Sequence, residues 1–188
     1  MAERIIFHVD ANSAFLSWSA AYRVKGLGQA EDLRNVPTVV AWDKESRHSI
    51  ILAKSGPAKK YGIQTGEPLF QALEKCPDLR IVQPDYPLYV ECSRHFVAML
   101  KEFSPCVQQY SIDEAWVDMT GTERLWGTPR LAAEKMRQRI NEELGFTVNI
   151  GISSNKLLAK MAGDFEKPNK VHTLFPEEME RKFWPLPV

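Results

Sequence analysis

Two widely separated acidic sites carry the chemistry of this sequence. One is Ile5-Ile6-Phe7-His8-Val9-Asp10 near the N-terminus, and the other is Tyr110-Ser111-Ile112-Asp113-Glu114-Ala115-Trp116. Apolar, partly β-branched neighbours predict that each rides on a strand. Carboxylates at the ends of neighbouring strands can hold hard divalent cations over a phosphate, so the pattern points to metal-assisted phosphoryl transfer. Gathered in one place, three such groups would repel and resist ionisation unless a cation neutralised them. The competing reading makes Asp10 a helix cap and leaves Asp113 and Glu114 as solvated turn residues. A basic set follows near the C-terminus: Lys156 and Lys160 on neighbouring turns of a helix capped by Ser154 or Asn155, then Lys167. Flexible lysines beside a metal site suit a triphosphate, whereas spacing alone favours a solvated basic face.

The elements that must position these groups can be read from periodicity. Residues 4–9 read as a buried strand ending at Asp10, and apolar residues at 15, 18 and 22 predict a helix behind Asn12 and Ser13 as caps. Val36–Trp42 and Ser49–Ala53 read as two short strands separated by the charged turn Asp43-Lys44-Glu45-Ser46-Arg47. A basic run broken by Gly56 and Pro57 and a helix from Pro68 to Lys75 complete an inserted subdomain at about 14–81. Leu88, Cys92, Phe96, Met99, Leu100 and Phe103 recur at helical spacing until Pro105. Strands at 107–111 and 115–119 follow, joined at Ile112-Asp113-Glu114, then a helix from Pro129 to Leu144 ending at Gly145 and a strand at 146–152. With the insertion bridged, the order is strand, helix, strand, strand, helix, strand. That is the order of an α+β, ferredoxin-like split βαβ sheet. Its first and third strands pair centrally, which predicts that Asp10 faces Asp113.

Composition narrows the classes. With 188 residues, 44% hydrophobic and 26% charged, the chain reads as an ordinary globular domain with a small insertion. Basic and acidic residues balance at 24 each, so charge alone does not announce a polyanionic partner. Cys76, Cys92 and Cys106 are odd in number and lack C-x-x-C spacing, which argues against a disulfide framework or zinc site and for a reducing cytoplasm. Neither a signal-peptide core nor a membrane-length apolar run is legible.

Taken together, Val9-Asp10 followed by Phe15, the block Tyr110-Ser-Ile-Asp-Glu-Ala115, and Gly151-Ile-Ser-Ser-Asn-Lys-Leu-Leu-Ala-Lys-Met-Ala162 with Lys167-Pro168-Asn169 resemble the Y-family, or lesion-bypass, DNA polymerases. The resemblance runs in order along nearly the whole chain. It implies a discontinuous palm at 1–13 and 82–188, fingers at 14–81, and a thumb and little finger that lie outside this chain. It also implies template-directed nucleotidyl transfer past damaged bases with two magnesium ions, for which manganese can substitute. One ion would be held by Asp10, Asp113 and Glu114, the other by Asp10, Asp113 and the backbone carbonyl of Ala11. The family's triphosphate contacts fall on the backbone of Ser13, Ala14 and Phe15, on Lys59 and on Lys167. Phe15 matches the bulky gate that excludes a ribose 2′-hydroxyl, although an ordinary core aromatic would look the same. The chain departs from the family where Gly56 replaces a phosphate-binding tyrosine, Lys59 an arginine and Asn12 an aspartate. The partners implied are primer-template DNA and a deoxynucleoside triphosphate, with a sliding clamp reached through the missing C-terminal region and no membrane. The palm and fingers alone are expected to extend primers weakly or not at all. The rivals are a non-catalytic polymerase-like repair adaptor and, behind it, a nucleotidyl cyclase.

Overall fold

The computed structural model describes residues 4–42 and 49–186, so the charged turn at 43–47 lies outside the described residues. In chain order the elements are β1 (Ile6–Ala11), α1 (Ala14–Ala21), β2 (Thr38–Val40), β3 (Ala53–Lys54), α2 (Gly56–Lys60), α3 (Leu69–Lys75), β4 (Arg80–Val82) and α4 (Tyr86–Phe103). They continue with β5 (Val107–Gln109), β6 (Glu114–Asp118), α5 (Glu123–Trp126), α6 (Pro129–Arg139), β7 (Val148–Ser153), α7 (Lys156–Gly163), β8 (Val171–Thr173) and α8 (Met179–Lys182). Two compact units result: the described residues through Asn12 with those from Ser93 onward, and Ser13–Cys92.

The first unit is built on a sheet ordered β5-β6-β1-β7-β8. The pairs β5–β6, β6–β1 and β1–β7 are antiparallel, which is the split βαβ arrangement, and β8 adds in parallel on β7. Register and the two-residue period of a strand divide its side chains by chemistry. Phe7 opposes Val117 and Ile152, and Val9 opposes Ala115 and Ile150, giving one wholly apolar and buried face. On the other face His8 opposes Trp116 and Gly151, while Asp10 opposes Glu114 and Asn149. Helix α7 packs on β7 and β1. It can do so because Gly151 has no side chain: a Cβ there would lie 1.9 Å from the Ala159 carbonyl oxygen and 2.4 Å from the Gly163 nitrogen. Helices α4 and α6 add Phe96, Leu100, Met136 and Ile140 to the buried core. Thr128 caps α6 by accepting from the Leu131 N–H, with Pro129 in the first turn.

The second unit holds a sheet ordered β3-β2-β4, in which β2 is antiparallel to β3 and parallel to β4. Adjacent residues of β2 serve different cores. Val39 packs with Ile51, Ile63 and Leu69, whereas Val40 packs with Leu16, Leu33 and Val82.

Several local expectations change. Ser13 occupies the N-cap of α1 with left-handed φ and ψ of 47° and 52° and makes no side-chain cap. Helix α1 runs on into a π-helical turn at Tyr22–Gly26, which leaves Tyr22 exposed rather than inward. The strand expected at 36–42 contracts to β2. The strand expected at 49–53 shifts to β3, with Ile50 making only a single bridge to Pro68. The basic run around Gly56 is the helix α2, capped by Ser55 with Pro57 in its first turn. Strands β4 and β8 were not expected. Among the described residues, no helix is long and apolar enough to cross a membrane.

Candidate active site

Strand β6 begins one residue earlier than expected, and this changes which carboxylates meet. Glu114, not Asp113, stands opposite Asp10, so both project from the polar face of the sheet. Asp113 lies in the bend before β6, where its carbonyl accepts from the Ala11 N–H at 3.0 Å and its Oδ1 accepts from the Ser111 hydroxyl at 2.7 Å. The turn therefore breaks the strand alternation at Asp113, as two acidic neighbours serving one place require.

The carboxylates do not stand bare. Glu114 Oε2 accepts from His8 Nε2 at 2.8 Å and from the Lys160 ammonium. Asp10 Oδ2 accepts from Lys167, which also pairs with Asp164 Oδ1 at 2.9 Å. Two of the three charges thus have ammonium partners, so the mutual repulsion expected from sequence is partly offset. Among the described residues, no three His, Cys, Asp or Glu side chains form a closed metal-binding group. The donor chemistry nevertheless suits a hard cation. Among the described residues, the hydrogen bonds to these carboxylates fall on Asp10 Oδ2, Asp113 Oδ1 and Glu114 Oε2, which leaves one oxygen of each for a further ligand.

Electrostatics follow the same geometry. Burial raises the Asp10 pKa, and Lys167 offsets only part of that. Burial would also raise Glu114, but hydrogen bonds from Lys160 and His8 outweigh it and hold the group below its ordinary value. Burial opposes the Lys167 charge, yet Asp10 and Asp164 prevail and raise its pKa. Burial lowers the pKa of His8, against the pull of Glu114.

Lys167 is aimed by an amide network that sequence reasoning missed. Fully buried Asn149 donates to the carbonyls of Gly163 at 2.9 Å and Glu166 at 2.7 Å, and its Oδ1 accepts from Asn12 Nδ2 at 3.1 Å. Asn12 Oδ1 in turn accepts from Thr147 Oγ1 at 3.0 Å and from the Asn169 N–H at 2.9 Å. Asn12 thus fastens the 164–169 loop to β1. Lys156 takes a different place from Lys160: it lies 5.3 Å over the Trp116 ring and donates to Gln108.

In the second unit, Phe15 is half-buried and stacks on Tyr89 with ring centroids 4.6 Å apart and planes at 13°; Tyr86 meets it edge-on at 6.0 Å. The Tyr89 hydroxyl and Ser19 Oγ hydrogen-bond at 3.1 Å, which fixes the stack. Ser13 and Ala14 open α1, whose first backbone N–H groups lack acceptors within the helix. Lys54 and Lys59 line a cleft of about 450 Å³ together with Gly62, Ile63, Gln64 and Thr65. Burial, and then the Lys59 charge, lowers the Lys54 pKa. Gly56 has no positive φ, and a Cβ on it would meet nothing within 4 Å.

A split sheet with an acidic face and a mixed α+β insertion is the fold of Y-family polymerase palm and fingers structures, and known proteins agree. Residues 9–164 match the impB/mucB/samB family (IMS), and the chain belongs to that family. DNA polymerase IV of Clostridium acetobutylicum is 49% identical over 185 residues, which are 98% of this chain and 46% of that relative. DNA polymerase IV 2 of Bacillus subtilis is 38% identical over 191 residues, covering 100% of this chain and 45% of that protein. Among solved structures, DinB from Sulfolobus solfataricus superposes with a TM-score of 0.78 at 27% identity, over 94% of this chain and 50% of that one. An insertion ternary complex of Dbh DNA polymerase gives the same TM-score at 26% identity, with the same coverage. The chain spans about half the length of the curated relatives it matches.

Proposed function

We propose that this chain is the palm and fingers of a translesion DNA polymerase, with the split-sheet unit as palm and the Ser13–Cys92 unit as fingers. The observation that carries the reading is Asp10 opposite Glu114 across β1 and β6, beside Asp113, with one oxygen of each free for a further ligand. Asp10, Asp113 and Glu114, with the Ala11 carbonyl, would hold two magnesium or manganese ions. Such ions, when bound, acidify a hydroxyl nucleophile and neutralise charge on the transferred phosphate.

The chain's own residues supply positioning and charge. Lys167 and Lys160 offset two of the three carboxylate charges and are ammonium donors for triphosphate oxygens when the carboxylates turn to cations. The first N–H groups of α1, at Ser13 to Phe15, are oriented to receive phosphate oxygens. Phe15, pinned by Tyr89 and Tyr86, is a rigid wall suited to excluding a 2′-hydroxyl. In the fingers, Lys54 joins Lys59 as the cationic pair where relatives use tyrosine and arginine. Primer-template DNA and a deoxynucleoside triphosphate are the substrates, in the cytoplasm.

The test is calorimetry of nucleotide binding by this chain with magnesium or manganese. Asp113→Ala should abolish metal-dependent binding while leaving the fold intact, because Asp113 sits in a half-buried bend outside the apolar core. Unchanged binding in that variant refutes the assignment.

A further inference from the structure

His8 is a buried polar residue that the polymerase reading leaves without a task. It is 2% exposed and sits on the polar face of β1, two residues before Asp10. The Trp116 ring flanks it at 5.8 Å, and Gly163 of α7 closes the other side, where a Cβ would come within 3.5 Å of Nδ1. Its Nε2 lies 2.8 Å from Glu114 Oε2. An ionised carboxylate only accepts hydrogen bonds, so Nε2 must carry the proton. The other nitrogen, Nδ1, is buried and has no hydrogen-bond partner among the described residues. A side chain that tolerates an unpartnered nitrogen is kept for what its other nitrogen does.

What that nitrogen does is select an oxygen. His8 and Lys160 both converge on Oε2, so Oε1 is the oxygen of Glu114 left for a cation. Lysine is a flexible point charge that follows whichever oxygen turns toward it. The imidazole is a flat ring, buried beside Trp116 and Gly163, with only two rotatable bonds, so it has far less freedom to follow. We propose that His8 is a positioning residue that fixes the rotamer of Glu114, presenting Oε1 for metal binding before any metal arrives; this rests on Glu114 being a metal ligand, as argued above. Partners of this kind typically govern metal affinity by 10–100-fold.

The experiment titrates Mn²⁺ into this chain and reads free Mn²⁺ by electron paramagnetic resonance, alongside the melting temperature. His8→Leu removes the donor and should weaken Mn²⁺ affinity about tenfold. His8→Gln, whose amide N–H can reach the same oxygen, should stay within about threefold of the unaltered chain. In a Glu114→Gln background, His8→Leu should cause no further loss. Long-range ¹H–¹⁵N spectra, which need neither metal nor the Leu variant to fold, should show the Nε2–H tautomer, with a resonance that moves in Glu114→Gln. The proposal is overturned if His8→Leu binds Mn²⁺ like the unaltered chain, if Gln and Leu lose equally, if the loss persists in Glu114→Gln, or if the proton is on Nδ1. Absence of saturable Mn²⁺ binding in the unaltered chain would overturn the metal site itself, and this proposal with it.

Discussion

Gly151→Ala is the most demanding test of how the site is assembled. The new Cβ would lie 1.9 Å from the Ala159 carbonyl oxygen and 2.4 Å from the Gly163 nitrogen. Carbon and oxygen approach no closer than about 3.3 Å in weak contacts, so α7 would have to lift by roughly 1.4 Å. Both obstructing atoms are backbone, and the strand beneath is hydrogen-bonded on both sides, so neither can yield by a rotamer change. Overpacking typically costs about 1–3 kcal/mol, and a backbone clash of this depth belongs at or above the upper end. For a chain of this size, about 3 kcal/mol lowers Tm by about 6–12 °C. Urea denaturation should show a lower midpoint at unchanged m. Gly163→Ala is the control: its nearest neighbour would be His8 Nδ1 at 3.5 Å, an ordinary contact. Alanine is also the better helix former, so that variant should be neutral or stabilising by up to about 1 kcal/mol. A loss below about 1 kcal/mol for Gly151→Ala would refute the reasoning that this glycine seats α7.

Other outcomes follow from the same coordinates. Gly56→Tyr with Lys59→Arg, made in the full-length protein, should lower KM for the incoming nucleotide about fivefold or more at nearly constant kcat. It should leave Tm unchanged, because Gly56 is an unstrained helical position with open space beside it; a fall in Tm without kinetic gain would overturn this. Phe15→Ala in the full-length protein should narrow discrimination against ribonucleotides at least about tenfold, and an unchanged ratio would return Phe15 to a purely structural role. Thiol labelling at pH 8 should modify exposed Cys106 rapidly. Cys76 is buried, and burial pushes the Cys92 thiol up to about 11, so three thiols reacting alike would contradict the structure.

Periodicity made the long elements legible. The stripe through Phe96, Met99, Leu100 and Phe103 placed α4, and Pro129 with Gly145 bracketed the helix between β6 and β7. Strands β4 and β8, three residues each, are too short to establish a period. Glu114, which sequence puts in the connection, is the first residue of β6, so the register expected for Asp10 is one residue off. Asp10, Asp113 and Glu114 could be found because carboxylates at strand ends are a local pattern. The Asn12–Asn149 bond could not, since its partners are 137 residues apart and a buried amide has no sequence signature. Gly151 read as one more strand residue, since the helix above it, not the strand, forbids a side chain. His8 lay in plain view beside Asp10, and only the register of β1 against β6 gave it a partner.

The position of β1 has a consequence for biosynthesis. The strand leaves the ribosome before either of the strands it pairs with, yet it is central to its sheet, hydrogen-bonded on one edge to β6 and on the other to β7. The contiguous Ser13–Cys92 unit has all its own partners long before then. At about 5–20 residues per second, the 137 residues separating Asn12 from Asn149 take roughly 7–27 s to make. Until β6 and then β7 have been made, Ile6, Phe7 and Val9 are apolar groups on a strand with at least one open edge, accessible to chaperones or to a neighbouring nascent chain. The segment that bears Asp10 is thus synthesised well before its partners and sealed only when they arrive.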